Sequence, residues 1–267
     1  MSSGSDRSGP AVPRAAATVV LLRPAGAGME VLLMRRVRSM GFAPGAYVFP
    51  GGGVDVRDEA AGLPWTGPSP REWADVLGVD VPRARALVCA AVRETFEETG
   101  VLLAGEPGGD GPVLDTASQE WERDRLGLID RSRSFTDVLS GRGLVLRSEW
   151  LRAWSRWITP AAEKRRFDTW FFAAELPPGQ ASRDVGGEAD LTRWIDPALV
   201  AGEWERGDMP MLPPTLVTCA QVAECGTLGG VRRAERDIVP LEPEVRVVDG
   251  RLRVFLPDGI DYPLPSE

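Results

Sequence analysis

Residues 82–100 constrain this chain more than any other stretch. Pro82 fits the first turn of a helix and Gly100 the position just past its end, so RARALVCAAVRETFEET is framed as one helix. At 100° per residue, Glu94, Glu97 and Glu98 fall within about 100° of one another on one face. Val88, Val92, Thr95, Phe96 and Thr99 fall on the opposite face, which suits packing on a sheet. Arg93 lies four residues before Glu97, within reach of an ion pair. Like charges on adjacent turns are destabilising, and so are anions near a helix C-terminus. Two readings of the acidic face stand here: a solvated surface, or oxygen ligands for a hard divalent cation such as Mg²⁺ or Mn²⁺.

Around this helix the pattern alternates between periods. Residues 16–22 (AATVVLL) and 29–34 (MEVLLM) read as strands joined by the turn PAGAG. A Gly- and Pro-dense loop follows, holding the apolar run AYVF. Residues 57–82 are expected to be an irregular insert, 104–113 a loop, and 117–155 helical in pieces broken at Gly127 and around Gly141 and Gly143. Residues 167–176 and 191–195 read as strands and 214–225 as a helix. Asp249 and Gly250 between alternating runs signal a hairpin. This irregular order of strands and helices predicts an α/β fold with a mixed sheet, in the α+β manner, and helices packed on it. The expected organisation is a disordered lead (1–13), one domain (14–230) and a C-terminal extension (231–267).

Composition narrows the chemistry. The chain has no histidine, which removes Ser-His-Asp and Cys-His catalysis and His-rich zinc sites, so acid–base and metal work falls to carboxylates. A net charge of −8 argues against a general nucleic-acid partner. No apolar run approaches the roughly 20 residues of a membrane helix. Cys89, Cys219 and Cys225 form neither a CxxC pair nor a disulfide framework, which fits a reducing, cytoplasmic setting. Nine tryptophans leave open a packed core, a pocket wall or the surface of a homodimer; Trp150, Trp154 and Trp157 share helical spacing.

The run RE-x-x-EE-x-G-Val over 93–101, with FPGG at 49–52 upstream, resembles the Nudix box. The family pattern is G-x5-E-x7-R-E-U-x-E-E-x-G-U, with U a bulky aliphatic residue. Counted from Gly52, Asp58 stands where the family has glutamate, the spacer to Arg93 is 34 residues rather than seven, and Thr95 occupies a U position. An insert of this kind is similar to the coenzyme A diphosphatase branch. The stretch LLMRRVRSMGFAPGAYVFPGG partly matches that branch's L-L-T-x-R-[S/A]-x3-R-x3-G-x3-F-P-G-G. Leu32, Leu33, Arg36, Gly45 and FPGG agree, whereas Met34, Val37 and Gly41 depart from it.

The resemblance implies a Nudix-like α/β/α sandwich with helical insertions and a C-terminal hairpin extension. It implies metal-dependent hydrolysis of a small-molecule nucleoside diphosphate-X, coenzyme A or an acyl-coenzyme A first. ADP-ribose or a dinucleotide is the runner-up, and a non-catalytic nucleotide sensor or an interaction protein are readings from other classes. Glu94, Glu97 and Glu98 would be metal ligands, with Glu94 also eligible as general base and Arg93 orienting them. Gly51 and Gly52 would let metal or phosphate approach the backbone. Arg36 and Arg166 would pair with phosphates, or else be solvated. Glu188, six residues before Trp194, would complete the metal site, or else be an exposed loop acid.

Overall fold

The computed structural model describes residues 10–39, 43–60, 62–109, 111–184, 189–248, 250–256 and 261–262. Its first half runs β1 (Arg14–Ala25), β2 (Gly28–Arg36), β3 (Tyr47–Val48), β4 (Gly51–Gly53), β5 (Trp65–Thr66), α1 (Pro70–Leu77), α2 (Val81–Thr99), β6 (Ala104–Gly105), α3 (Gln119–Ile129) and α4 (Phe135–Gly141). Then come β7 (Val145–Arg147), β8 (Leu151–Ile158), β9 (Phe167–Glu175), β10 (Ala189–Ile195), α5 (Val200–Glu205), α6 (Pro213–Cys225) and α7 (Leu228–Arg233). The chain closes with β11 (Pro240–Leu241), β12 (Glu244–Val248), β13 (Arg251–Phe255) and β14 (Asp261–Tyr262).

Period-two alternation feeds two cores, one on each face of the main sheet. From β1, Ala17, Val19 and Leu21 enter one core, and Val20 and Leu22 the other. In β9, Trp170, Phe172 and Ala174 go one way, and Phe171 and Ala173 the other. Helices α1 and α2 cover the first face; α5, α6 and α7 cover the second through Val200, Trp204, Val222 and Val231. This is the expected α/β/α arrangement. Among the described residues no helix is long and apolar enough to cross a membrane.

The strand order is β10-β2-β1-β9-β8-β11, with β1 and β9 parallel from Arg14↔Phe167 to Leu22↔Glu175. The other edge of β1 is divided. Its C-terminal part (Leu22↔Val31 to Ala25↔Gly28) pairs with β2, and its N-terminal part (Ala16↔Gly53 to Thr18↔Gly51) pairs with β4. That fork draws the triglycine strand into the middle of the sheet, directly under α2.

Several expectations need correction. The insert is not irregular: Ser69 and Glu72 form a capping box, Pro70 opens α1, and Gly78 closes it. Gly127 does not break α3, since a single glycine costs a helix only about 1 kcal/mol. The end of the 117–155 segment is not helical, because β7 and β8 occupy it. The misleading tryptophan spacing has a physical cause. The pairing of β8 with β9 shifts between Ala153 and Ser155, leaving Trp154 as an extra residue. That bulge brings Trp154 and Trp157, three apart, into the same core. The extension does carry the hairpin, Glu244↔Phe255 to Val248↔Arg251; Gly250 lies in its turn, and Asp249 falls outside the described residues. The expected N-terminal lead falls largely outside them too.

Candidate active site

Helix α2 begins at Asp80, whose side chain accepts from Arg83 N at 2.8 Å, and ends at Gly100 in the left-handed region, with φ 72°. Between these caps the apolar face packs as expected: Val88, Val92, Thr95, Phe96 and Thr99 are all inaccessible. The acidic face turns toward the glycine strand.

Arg93 is the hub of that face. Its Nε donates to Asp58 Oδ1 (2.9 Å) and its Nη2 to Asp58 Oδ2 (2.8 Å) and to Gly53 O (3.0 Å). Its Nη1 donates to Glu94 Oε1 (2.8 Å) and Glu97 Oε1 (3.0 Å). The planar guanidinium therefore spends its donors on three carboxylates and one carbonyl, a task an ammonium could not perform. Asp58 is 2% exposed and also accepts from Asp55 N (2.8 Å), which caps the short turn Val56–Glu59. Residues 35 apart thus close one buried clamp, at the positions where the two halves of the box pattern were aligned.

The glycines are required by proximity. A Cβ on Gly52 would stand 2.6 Å from the Glu94 carboxyl carbon, and one on Gly51 2.5 Å from Ala17 O. Gly51 N donates to Glu98 Oε2 at 2.7 Å, so strand β4 holds the third glutamate.

Charge is strained here. Burial pushes the Glu94 carboxyl up to about 7, with Arg93 pulling it down and Glu97 adding to the rise. Burial raises Glu97 as well. Burial works against the Arg93 charge, yet the Asp58 hydrogen bonds and neighbouring carboxylates outweigh it and hold Arg93 above its ordinary value.

Among the described residues no group of three or more Asp, Glu or Cys side chains is gathered into a metal cage. Arg93 lies between Glu94 and Glu97, and Glu98 is drawn to Gly51. The donor chemistry nonetheless fits a hard divalent cation, because all three side chains offer oxygen and all line one cavity. Arg93 engages Oε1 of Glu94 and of Glu97, leaving Oε2 of each outside the clamp.

The cavity, ≈ 1460 Å³, exceeds the size of a usual small-molecule pocket. Gly51, Gly52, Arg36 and Arg93 line it with the glutamates. Arg36 is fixed there through its peptide, accepting from Gly45 N (3.1 Å) and donating to Ala46 O (3.0 Å). Arg166 does not line the cavity. Its guanidinium is buried against Thr159 O, Ala11 O and Glu242 Oε1, while neighbouring Arg165 lines the cavity instead. Glu188 lies outside the described residues; Trp194 donates to Ser182 Oγ at 2.9 Å in β10. Asp58 is the residue that sequence reasoning aligned but assigned no role. Of the insert, Arg57 lines the cavity and no residue of α1 does.

A family profile described as the NUDT19 Nudix domain matches residues 68–222. The chain is 26% identical over 248 residues to the acyl-coenzyme A diphosphatase NUDT19 of Gallus gallus, covering 78% of this chain and 65% of that protein's length. It is 28% identical over 318 residues to the Homo sapiens protein of that name, covering 99% of this chain and 82% of the other. Among solved structures, a Nudix hydrolase from Alicyclobacillus acidocaldarius is 27% identical with a TM-score of 0.69, covering 85% of this chain and 98% of that one.

Proposed function

Because this chain belongs to the Nudix hydrolase family, as the profile match over more than half its length establishes, we propose that it hydrolyses the diphosphate of a nucleoside diphosphate-X, with coenzyme A or an acyl-coenzyme A as substrate. The observation that carries the reading is the Arg93 clamp, which unites Asp58, Glu94, Glu97 and the Gly53 carbonyl beside one large cavity. The names of the relatives and the partial match from Leu32 to Gly52 support coenzyme A in particular.

Glu94, Glu97 and Glu98 would hold a divalent cation, Mg²⁺ or Mn²⁺, which when bound supplies charge neutralisation on the diphosphate and a more acidic water. The chain's own groups do the rest. Arg93 fixes the carboxylates in one orientation, so that little reorganisation accompanies the reaction. Glu94 Oε2, the oxygen outside the clamp, serves either as a ligand of that cation or as the acceptor of a proton from the attacking water. The bare Cα of Gly52 lets the Glu94 carboxylate lie directly against the backbone of β4. Arg36 and Arg165 both line the cavity wall, where a guanidinium suits phosphate charge.

The test is product analysis with coenzyme A and Mg²⁺ or Mn²⁺ beside Glu98→Gln. Release of 3′,5′-ADP and 4′-phosphopantetheine is expected to depend on the metal and to fall by at least about 100-fold in the variant. Turnover of ADP-ribose in preference to coenzyme A would replace the substrate. Binding without turnover of any diphosphate would replace the enzyme with a sensor.

A further inference from the structure

One transverse row of paired residues runs from the glycine strand to the C-terminal extension: Gly53↔Ala16↔Thr169↔Trp157↔Leu241. It crosses β4, β1, β9, β8 and β11, four inter-strand steps of about 4.8 Å, or roughly 19 Å in all. Gly53, Ala16, Thr169 and Trp157 all line the cavity, so the row is its floor. At the near end stand the glutamates. At the far end Val245 and Val254 of the hairpin line the same cavity, and Val254 also packs on the second core. The root of the hairpin is fixed: β11 pairs with β8, and Glu242 accepts from the buried Arg166 at 2.6 Å.

The row therefore has the glutamates beside one end and Val245 and Val254 beside the other, a definite length apart. In coenzyme A about thirteen bonds separate the diphosphate phosphorus from the sulfur, roughly 16 Å extended at ~1.25 Å of advance per bond of ordinary C–C and C–N length. Laid along the row from the glutamate end, the arm brings its sulfur within one strand spacing of β11, the strand that leads into the hairpin. We propose that this row seats the thioester-bearing arm and that Val245 and Val254 are the apolar wall for the acyl group, making the C-terminal extension the specificity element. This rests on the diphosphate-hydrolase reading above and adds to it where the non-nucleotide half of the substrate lies.

Steady-state kcat/KM on free, acetyl-, butanoyl- and octanoyl-coenzyme A, measured with the full chain and its metal, tests the assignment. The wild type gains about fourfold for each methylene that reaches the wall. The isosteric Val254→Thr reduces the octanoyl-to-free ratio several-fold through KM, and Val254→Asp reverses the order. If the aspartate unfolds the hairpin, which circular dichroism and a melting curve reveal, the threonine variant decides. A flat wild-type series, or an unchanged slope in Val254→Thr, overturns the wall while leaving the hydrolase reading intact. If the wild type cleaves no coenzyme A species yet cleaves ADP-ribose, the substrate reading itself fails and takes this assignment with it.

Discussion

The insert over 57–82 and the extension after α7 are both additions around the sheet, yet they are held in opposite ways. The insert turns inward. Trp73, Ala74 and Leu77 of α1 join the first core, Trp73 meets Phe172 edge-on at 5.7 Å, and Trp170 Nε1 donates to Leu77 O. The hairpin stays shallow: Val245 and Val254 are half-buried at the cavity, and one ion pair, Arg166 with Glu242, pins its root. Deep burial without cavity contact marks a stabilising element. Shallow attachment with cavity contact marks a selective one. The insert's own beginning is the exception, since Asp58 reaches into the site.

Substitutions can break or sharpen this contrast. The largest effect belongs to Asp58→Ala, where insert and site meet. Leaving Arg93 buried without its main partner should cost about 3–5 kcal/mol in urea unfolding and at least tenfold in kcat; an intact kcat would remove Asp58 from the site. Trp73→Ala should cost a similar ~3–5 kcal/mol but leave kcat per folded molecule within about twofold. A larger fall in kcat would mean that the insert does shape the site.

The next effect is smaller and depends on pH. Glu94 sits at about 7 in the fold against an ordinary 4.5. Between those values the folded state keeps a proton that the unfolded chain has released. Metal-free stability from this group is therefore greatest at acid pH and falls as pH rises from about 4.5 to about 7, by on the order of 3 kcal/mol. Added Mg²⁺ should then raise the Tm more at pH 8 than at pH 5, and equal shifts would contradict the assignment of Glu94 as a ligand. The mildest pair is Ser69→Ala and Glu242→Gln. The first should lose about 1 kcal/mol with unchanged KM for acyl substrates. The second should lose less stability, as befits a half-exposed ion pair, yet raise that KM.

What was legible in the sequence follows the same division. Strands β1, β2 and β9 and helix α2 announce themselves through clean periods and through Pro82 and Gly100. The glutamate face and the glycines were legible because a box pattern fixes their spacing. Helix α1 was hidden by its proline- and glycine-rich setting, although Ser69-Pro70 with Glu72 carried its cap. In β8 the bulge at Trp154 turned a strand into an apparent helix period. The choice between Arg165 and Arg166 was not readable, because it depends on which neighbour meets Glu242 and Ala11 from distant parts of the chain.

The Arg93–Asp58 clamp has a consequence in chain entropy. Closing a loop costs free energy that grows with the logarithm of its length, so extending the spacer from seven residues to 34 adds only about 1.4 kcal/mol. Burial of Trp73 and Leu77 alone can offset that. A site shut by a bidentate buried pair is therefore nearly indifferent to what lies between its two halves. The span between Asp58 and Arg93 is a place where one module can be exchanged for another without redrawing the chemistry beside it.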